Sequence, residues 1–244
     1  MISTGNDIVA LSAINAARTN QHKFYSKILS DSETPLYNEL SLAGIPFENF
    51  VWLLWSIKES AYKFLQRHNA GLVFTPVKFV VEELRLPSAY IIENFDAIAE
   101  EGIGFNGYPA LNGIVTFGEV KLHSCSLLYD KLISTVVNDI DNLENICWGI
   151  KLISDTTHEN QSTEVRQFLI ERLKRLYGHD DFRVDKNENG CPILFKGNEE
   201  TPIPISLSHH ENIIGYSFKP KGLDGRDAML RVSRWQVINN ANRQ

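Results

Sequence analysis

Trp55-Ser-Ile-Lys58-Glu59-Ser60-Ala-Tyr-Lys63 sits inside a strongly apolar segment that runs from Phe47 to Leu65. On a helix, Glu59 and Lys63 stand four residues apart and project from one face, with Trp55 one turn before Glu59 on the same line. A carboxylate and an ammonium group against an aromatic wall suit a metal–phosphate site. The same spacing also makes an ordinary surface ion pair of small energetic weight, so this segment alone leaves both readings open.

Other short motifs stand in a definite order around it. Gly5-Asn6-Asp7-Ile8-Val9-Ala10-Leu11 lies near the N-terminus. Asn189-Gly190-Cys191-Pro192-Ile193-Leu194 precedes Ser206-Leu207-Ser208-His209-His210 near the other end. The order Gly-x-Asp, Lys-Glu-Ser-x-x-Lys, Gly-x-Pro, Ser-x-Ser-His resembles the 4′-phosphopantetheinyl transferase superfamily. It looks most like the holo-acyl-carrier-protein synthase branch, in which the aspartate motif comes first. Lys23-Phe24-Tyr25-Ser26-Lys27-Ile28-Leu29, followed by Glu33, is similar to the Arg-Phe-x-x-Arg-Ile-Leu…Glu segment that branch carries.

Composition narrows the function classes. At 244 residues and 43% hydrophobic content, the chain can bury one good core or two small ones. Lys58 and Glu59 interrupt the longest apolar run before it reaches the roughly 18 residues of a bilayer span. The first 30 residues lack a basic start followed by an apolar core, so no signal peptide is expected. Cys125, Cys147 and Cys191 are odd in number and widely spaced, which points to reduced thiols in a cytoplasm rather than a disulfide frame or zinc site. A formal net charge of −6 argues against a nucleic-acid binder. Against that acidic background, Arg18, His22, Lys23 and Lys27 fall in a ten-residue stretch free of acids, either a solvated helix face or a docking surface.

The pattern predicts an α+β chain of two similar halves, antiparallel strands packed on helices. Gly5–Leu11 reads as a strand, Ser12 to Leu29 as one helix capped by Ser12, and Ser30 with Glu33 as a capping box. A helix from about Pro46 to just before Asn69 carries the Trp55 segment. Val77–Leu84, Gly113–Phe117, Val120–Ser126 and Leu132–Val137 read as strands in a meander. The second half repeats this: strand Cys147–Ile153, helix Ser162–Tyr177 capped by Ser162 and ended by Gly178, then strands Phe182–Lys186, Pro192–Lys196, Ile203–Ser208 and Ile213–Phe218. The expected division is 1–140 for the first half, 141–222 for the second and 223–244 for a polar tail.

The resemblance adds specific expectations. Each half keeps what the other lacks: Asp7 and Glu59 in the first, Gly190, Pro192 and His209 in the second. It therefore implies a fused pseudo-dimer, monomeric, with one site between its halves. The implied reaction moves the phosphopantetheine arm of coenzyme A to a carrier-protein serine. Asp7 and Glu59 would hold Mg²⁺. Glu59, Lys63 and His209 would be catalytic, with His209 a donor to phosphate when protonated. Lys58, Lys186, Gly190, Pro192 and Ser208 would contact coenzyme A, and Arg18, Lys23 and Lys27 would dock an acyl or peptidyl carrier protein. Three departures stand out: Val9 where some relatives have a second acid, Cys191 where a cation is usual, and His210 where Ser or Thr is usual. A non-catalytic relative that binds a carrier protein or coenzyme A is the alternative, and an oligomeric structural protein with chance motifs a weaker one.

Overall fold

The computed structural model describes residues 3–88, 90–141, 143–178 and 181–220, so the polar tail lies outside the described residues. In chain order come β1 (Gly5–Ala10), α1 (Ala16–Thr19), α2 (His22–Tyr25), α3 (Tyr37–Leu42) and α4 (Phe47–Gln66). Next are β2 (Val80–Arg85), β3 (Ala99–Ile103), β4 (Leu111–Phe117), β5 (Val120–Leu128) and β6 (Leu132–Asn138). The remainder is β7 (Cys147–Leu152), α5 (His158–Tyr177), β8 (Phe182–Lys186), β9 (Pro192–Lys196), β10 (Glu199–Glu200), β11 (Ile205–His210) and β12 (Ile213–Phe218).

Helices and antiparallel sheets make this an α+β fold. One sheet runs β1-β6-β5-β4-β2, a second β11-β12-β7-β3, and a small third β10-β9-β8. Alternation along the strands sorts the core into layers. Val9 faces α4, together with Leu122, Ile133 and Val137, and meets Phe50, Leu54, Ile57 and Phe64 from the helix. Its neighbours Ile8 and Ala10 point the other way and pack with Trp148 and Ile150 of the second sheet. Phe168, Leu169 and Leu173 of α5 cover that sheet's far side through Ile214, Tyr216 and Phe218. The order of layers is therefore α4, first sheet, second sheet, α5. β3, although it precedes β4 in sequence, pairs with β7 in the second sheet.

Two helix starts differ from expectation. No single helix fills Ser12–Leu29, because the Asn15 side chain accepts from the Arg18 N–H at 2.9 Å and starts α1 there. Gln21 then stands extended (φ −79, ψ 130) and breaks α1 from α2. α5 begins at His158 with Thr157 as its cap, one turn before Ser162, because the Thr157 hydroxyl accepts from the Asn160 N–H. Gly178 ends it in the left-handed region at φ 70, as the sequence indicates. The strand expected from Val77 starts at Val80, since Pro76–Lys78 forms a 3-10 turn. Glu33 does close a capping box, its carboxylate accepting from the Ser30 N–H at 2.7 Å.

Candidate functional site

The site begins with a close approach. A Cβ at Gly5 would lie 2.0 Å from the Ser60 carbonyl oxygen, so only glycine lets β1 touch the backbone of α4. Asp7 lies two residues along the same face of β1, and Glu59 and Lys63 flank Ser60 on α4. Lys63 Nζ consequently reaches both carboxylates, Asp7 Oδ1 at 3.0 Å and Glu59 Oε1 at 3.2 Å. Glu59 Oε2 accepts from Trp55 Nε1 at 2.8 Å. Burial pushes the Asp7 carboxyl up to about 6, with Lys63 opposing and Glu59 adding to the rise. Burial alone would lower Lys63, but the two carboxylates outweigh it and hold the ammonium above its ordinary range. One positive charge thus serves two carboxylates.

β11 supplies the opposite side, and its alternation decides which residues face where. Ser206, Ser208 and His210 turn toward β1: Ser206 Oγ accepts from the Asn6 N–H at 3.0 Å, Ser208 Oγ from Asn6 Nδ2 at 2.6 Å, and His210 Nδ1 from the Ala10 N–H at 3.1 Å. Leu207 and His209 turn into a cleft of about 200 Å³. His210 therefore has a structural task, aligning the strand that carries Asp7. Ser208, expected to contact coenzyme A, is instead buried in this seam and also donates to the Gly215 carbonyl.

The cleft gathers Lys63, Lys186, Gly190, Pro192 and His209 in one chain. Asp7 and Glu59 do not line it; they adjoin it through Lys63. It also holds Arg67, Arg166 and His158, basic side chains that sequence reading did not single out. Arg67 continues the Glu59–Lys63 stripe by one more turn, a spacing that was visible in the sequence. Cys191 is buried at the cleft wall. Burial, followed by His158, Lys63, Lys186 and His210, holds His209 below the ordinary imidazole range. An imidazole in that position donates one N–H when neutral and two when protonated.

Lys58 is a correction. It is fully buried, donating to Glu33 Oε2 at 2.7 Å and to the Ile28 carbonyl at 2.5 Å, and touches neither the cleft nor solvent. Burial, which the Glu33 carboxylate counters, depresses its ammonium pKa. Glu33 also accepts from the Val81 N–H at 2.7 Å, so the pair ties α4 to the segment after α2 and to β2. Being next to Glu59, Lys58 points a third of a turn away from it.

On the other side of Glu59 lies an apolar groove of about 590 Å³, walled by Phe24, Trp52, Trp55, Phe74 and Pro76. Arg18 and Lys27 stand at its rim, and Lys23 is exposed close by on α2. Along α4 the succession Trp55, Glu59, Lys63 therefore runs from groove to cleft, with the carboxylate between.

Among the described residues no group of three or more His, Cys, Asp or Glu side chains could hold a metal ion. Mg²⁺ asks for less, one or two carboxylates completed by phosphate and water. Asp7 and Glu59 fit it: the two carboxylates converge on one point, where the Lys63 ammonium now sits.

A family model of the 4′-phosphopantetheinyl transferase superfamily matches residues 3–101. The resemblance read from the sequence is borne out over that stretch, which contains Asp7, Glu59 and Lys63. No curated protein and no solved structure matches the chain. Among the described residues no helix is long and apolar enough to cross a membrane.

Proposed function

We propose that this protein transfers the 4′-phosphopantetheine arm of coenzyme A to a serine of an acyl or peptidyl carrier protein. One observation carries the reading: Glu59 is hydrogen-bonded on one side to a wall of the apolar groove and ion-paired on the other to a wall of the cationic cleft. An acceptor serine arriving from the groove and a pyrophosphate lying in the cleft would meet at that carboxylate.

Lys63, Arg67, Arg166 and Lys186 give the cleft the charge to bind phosphates, which offsets the missing cation at Cys191. Gly190 and Pro192 shape its wall, and His209 donates an N–H to a phosphate oxygen. Glu59 takes the serine proton directly or through one water. The serine oxygen bonds to the β-phosphorus as that atom's bond to the bridging oxygen breaks, and 3′,5′-ADP leaves with the bridging oxygen. Mg²⁺ bound by Asp7 and Glu59 would offset the pyrophosphate charge. Positioning and charge neutralisation supply the catalysis, since phosphoryl transfer leaves the protein little covalent work.

Arg18, Lys23 and Lys27 around an apolar groove suit an acidic helix that presents one apolar side chain, which is how we read carrier docking. Strand order supports two like halves at 1–140 and 141–222: the first strand pairs with the last and the last with its predecessor, in β1-β6-β5 and again in β7-β12-β11. With Asp7 from one half and His209 from the other, a monomer would hold one complete site. The three buried, unpaired cysteines favour a reducing compartment such as cytoplasm.

The test is direct. Folded protein is incubated with coenzyme A, Mg²⁺ and a panel of apo carrier proteins, and the mass of the added arm is sought. Transfer to at least one carrier, lost in Glu59→Ala, is expected. No transfer to any carrier would sink the reading.

A further inference from the structure

Trp55 does two things at once. Its indole forms part of the groove wall, edge-on to Phe74 with ring centroids 5.2 Å apart and tilted on Trp52 at 5.8 Å. Its Nε1–H donates to Glu59 Oε2 at 2.8 Å. The other Glu59 oxygen is taken by Lys63, so the two contacts together fix the plane of the carboxylate. Trp52, one turn earlier and also in the groove, donates to Thr19 Oγ1 at 3.1 Å and has no such link.

We infer that Trp55 is a positioning residue that couples occupation of the apolar groove to the orientation of Glu59. The inference rests on the transferase reading. A side chain seated in the groove presses on the indole, and the indole, locked to Glu59, transmits that contact to the carboxylate, which adjoins the cleft through Lys63. Seating the carrier therefore improves the alignment of the group that takes its proton. Phe74 and Trp52 hold the ring from both sides, which limits the motion to a small tilt.

Two variants separate alignment from docking. Trp55→Phe keeps an aromatic wall and loses the N–H. It should lower kcat by roughly tenfold, the weight of one charge-assisted hydrogen bond, with carrier KM little changed. Trp52→Phe should do the reverse, raising carrier KM more than it lowers kcat. A second readout is independent of turnover: the thermal shift produced by Mg²⁺ with coenzyme A should shrink in Trp55→Phe and persist in Trp52→Phe. Transfer by the wild type with kcat and thermal shift unchanged in Trp55→Phe would overturn this inference and leave the transferase standing. A loss confined to carrier KM in Trp55→Phe would reduce the residue to a docking surface and likewise overturn it. A wild-type protein that transfers nothing would remove both readings together.

Discussion

A methyl group placed on Gly5 tests how near β1 and α4 must come for the site to exist. The added carbon would lie 2.0 Å from the Ser60 carbonyl oxygen and 2.9 Å from the Phe64 nitrogen. An unstrained carbon–oxygen contact is about 3.3 Å, so strand and helix must part by about 1 Å. Both obstructing atoms are backbone, and no rotamer change relieves them. Overpacking of this kind costs about 1–3 kcal/mol, or roughly 2–12 °C in Tm for a chain of this size. The chemical consequence is larger. The same displacement draws Asp7, two residues along β1, away from Lys63, now 3.0 Å distant. A misplacement of about 1 Å costs on the order of 100-fold in rate. In circular-dichroism melts and the carrier-transfer assay, Gly5→Ala should be folded, less stable and slower by that factor. Ser60→Gly should not rescue it, because the clash is with main chain. A Gly5→Ala protein with wild-type Tm and rate would refute the close-approach reasoning.

Two more outcomes follow from buried charge. Removing one partner of the Lys58–Glu33 pair, by Lys58→Met or Glu33→Gln, should cost about 3–5 kcal/mol in urea unfolding. The double variant should lose less than the sum, and strict additivity would contradict the pairing. Asp7 has a folded pKa of about 6, above its unfolded value of about 3.9, so the folded state binds more protons between them. Its contribution to stability is therefore full below about pH 4, declines as pH rises to about 6 and is flat beyond. Compared with wild type over that range, Asp7→Asn should lack this decline in Tm and should lose stabilisation by Mg²⁺ at neutral pH. An identical pH slope in both proteins would refute the raised Asp7 pKa.

Strong apolar patterning makes much of the fold legible in the sequence. β1, α4, the β4–β6 meander and β11–β12 carry continuous or alternating apolar residues, and Asp7, Lys63 and His209 lie on these elements. β3 was missed because Ala99-Glu100-Glu101-Gly102-Ile103 reads as polar. Its carboxylates are satisfied only across the fold, Glu100 by the Tyr129 hydroxyl and Glu101 by the Tyr216 hydroxyl and Arg175. Ser208 and Lys58 were misassigned for one reason: a motif names residues in a row, whereas a strand or helix sends neighbours to different faces. Arg166 was missed because its part in the cleft depends on how α5 lies against β11, which no local pattern records.

The seam between β1 and β11 bears on association as well as catalysis. β1 is the last strand of its sheet, and an open row of N–H groups invites a foreign strand to pair. Ser206 and His210 occupy the Asn6 and Ala10 donors with side chains rather than with another ladder. Two donors of that edge are thus occupied, and the two sheets are joined there through side chains rather than a continuous ladder. At position 210 an imidazole reaches the strand where a shorter hydroxyl would be usual, so replacing it would uncover a sticky edge beside the carboxylate that the site depends on.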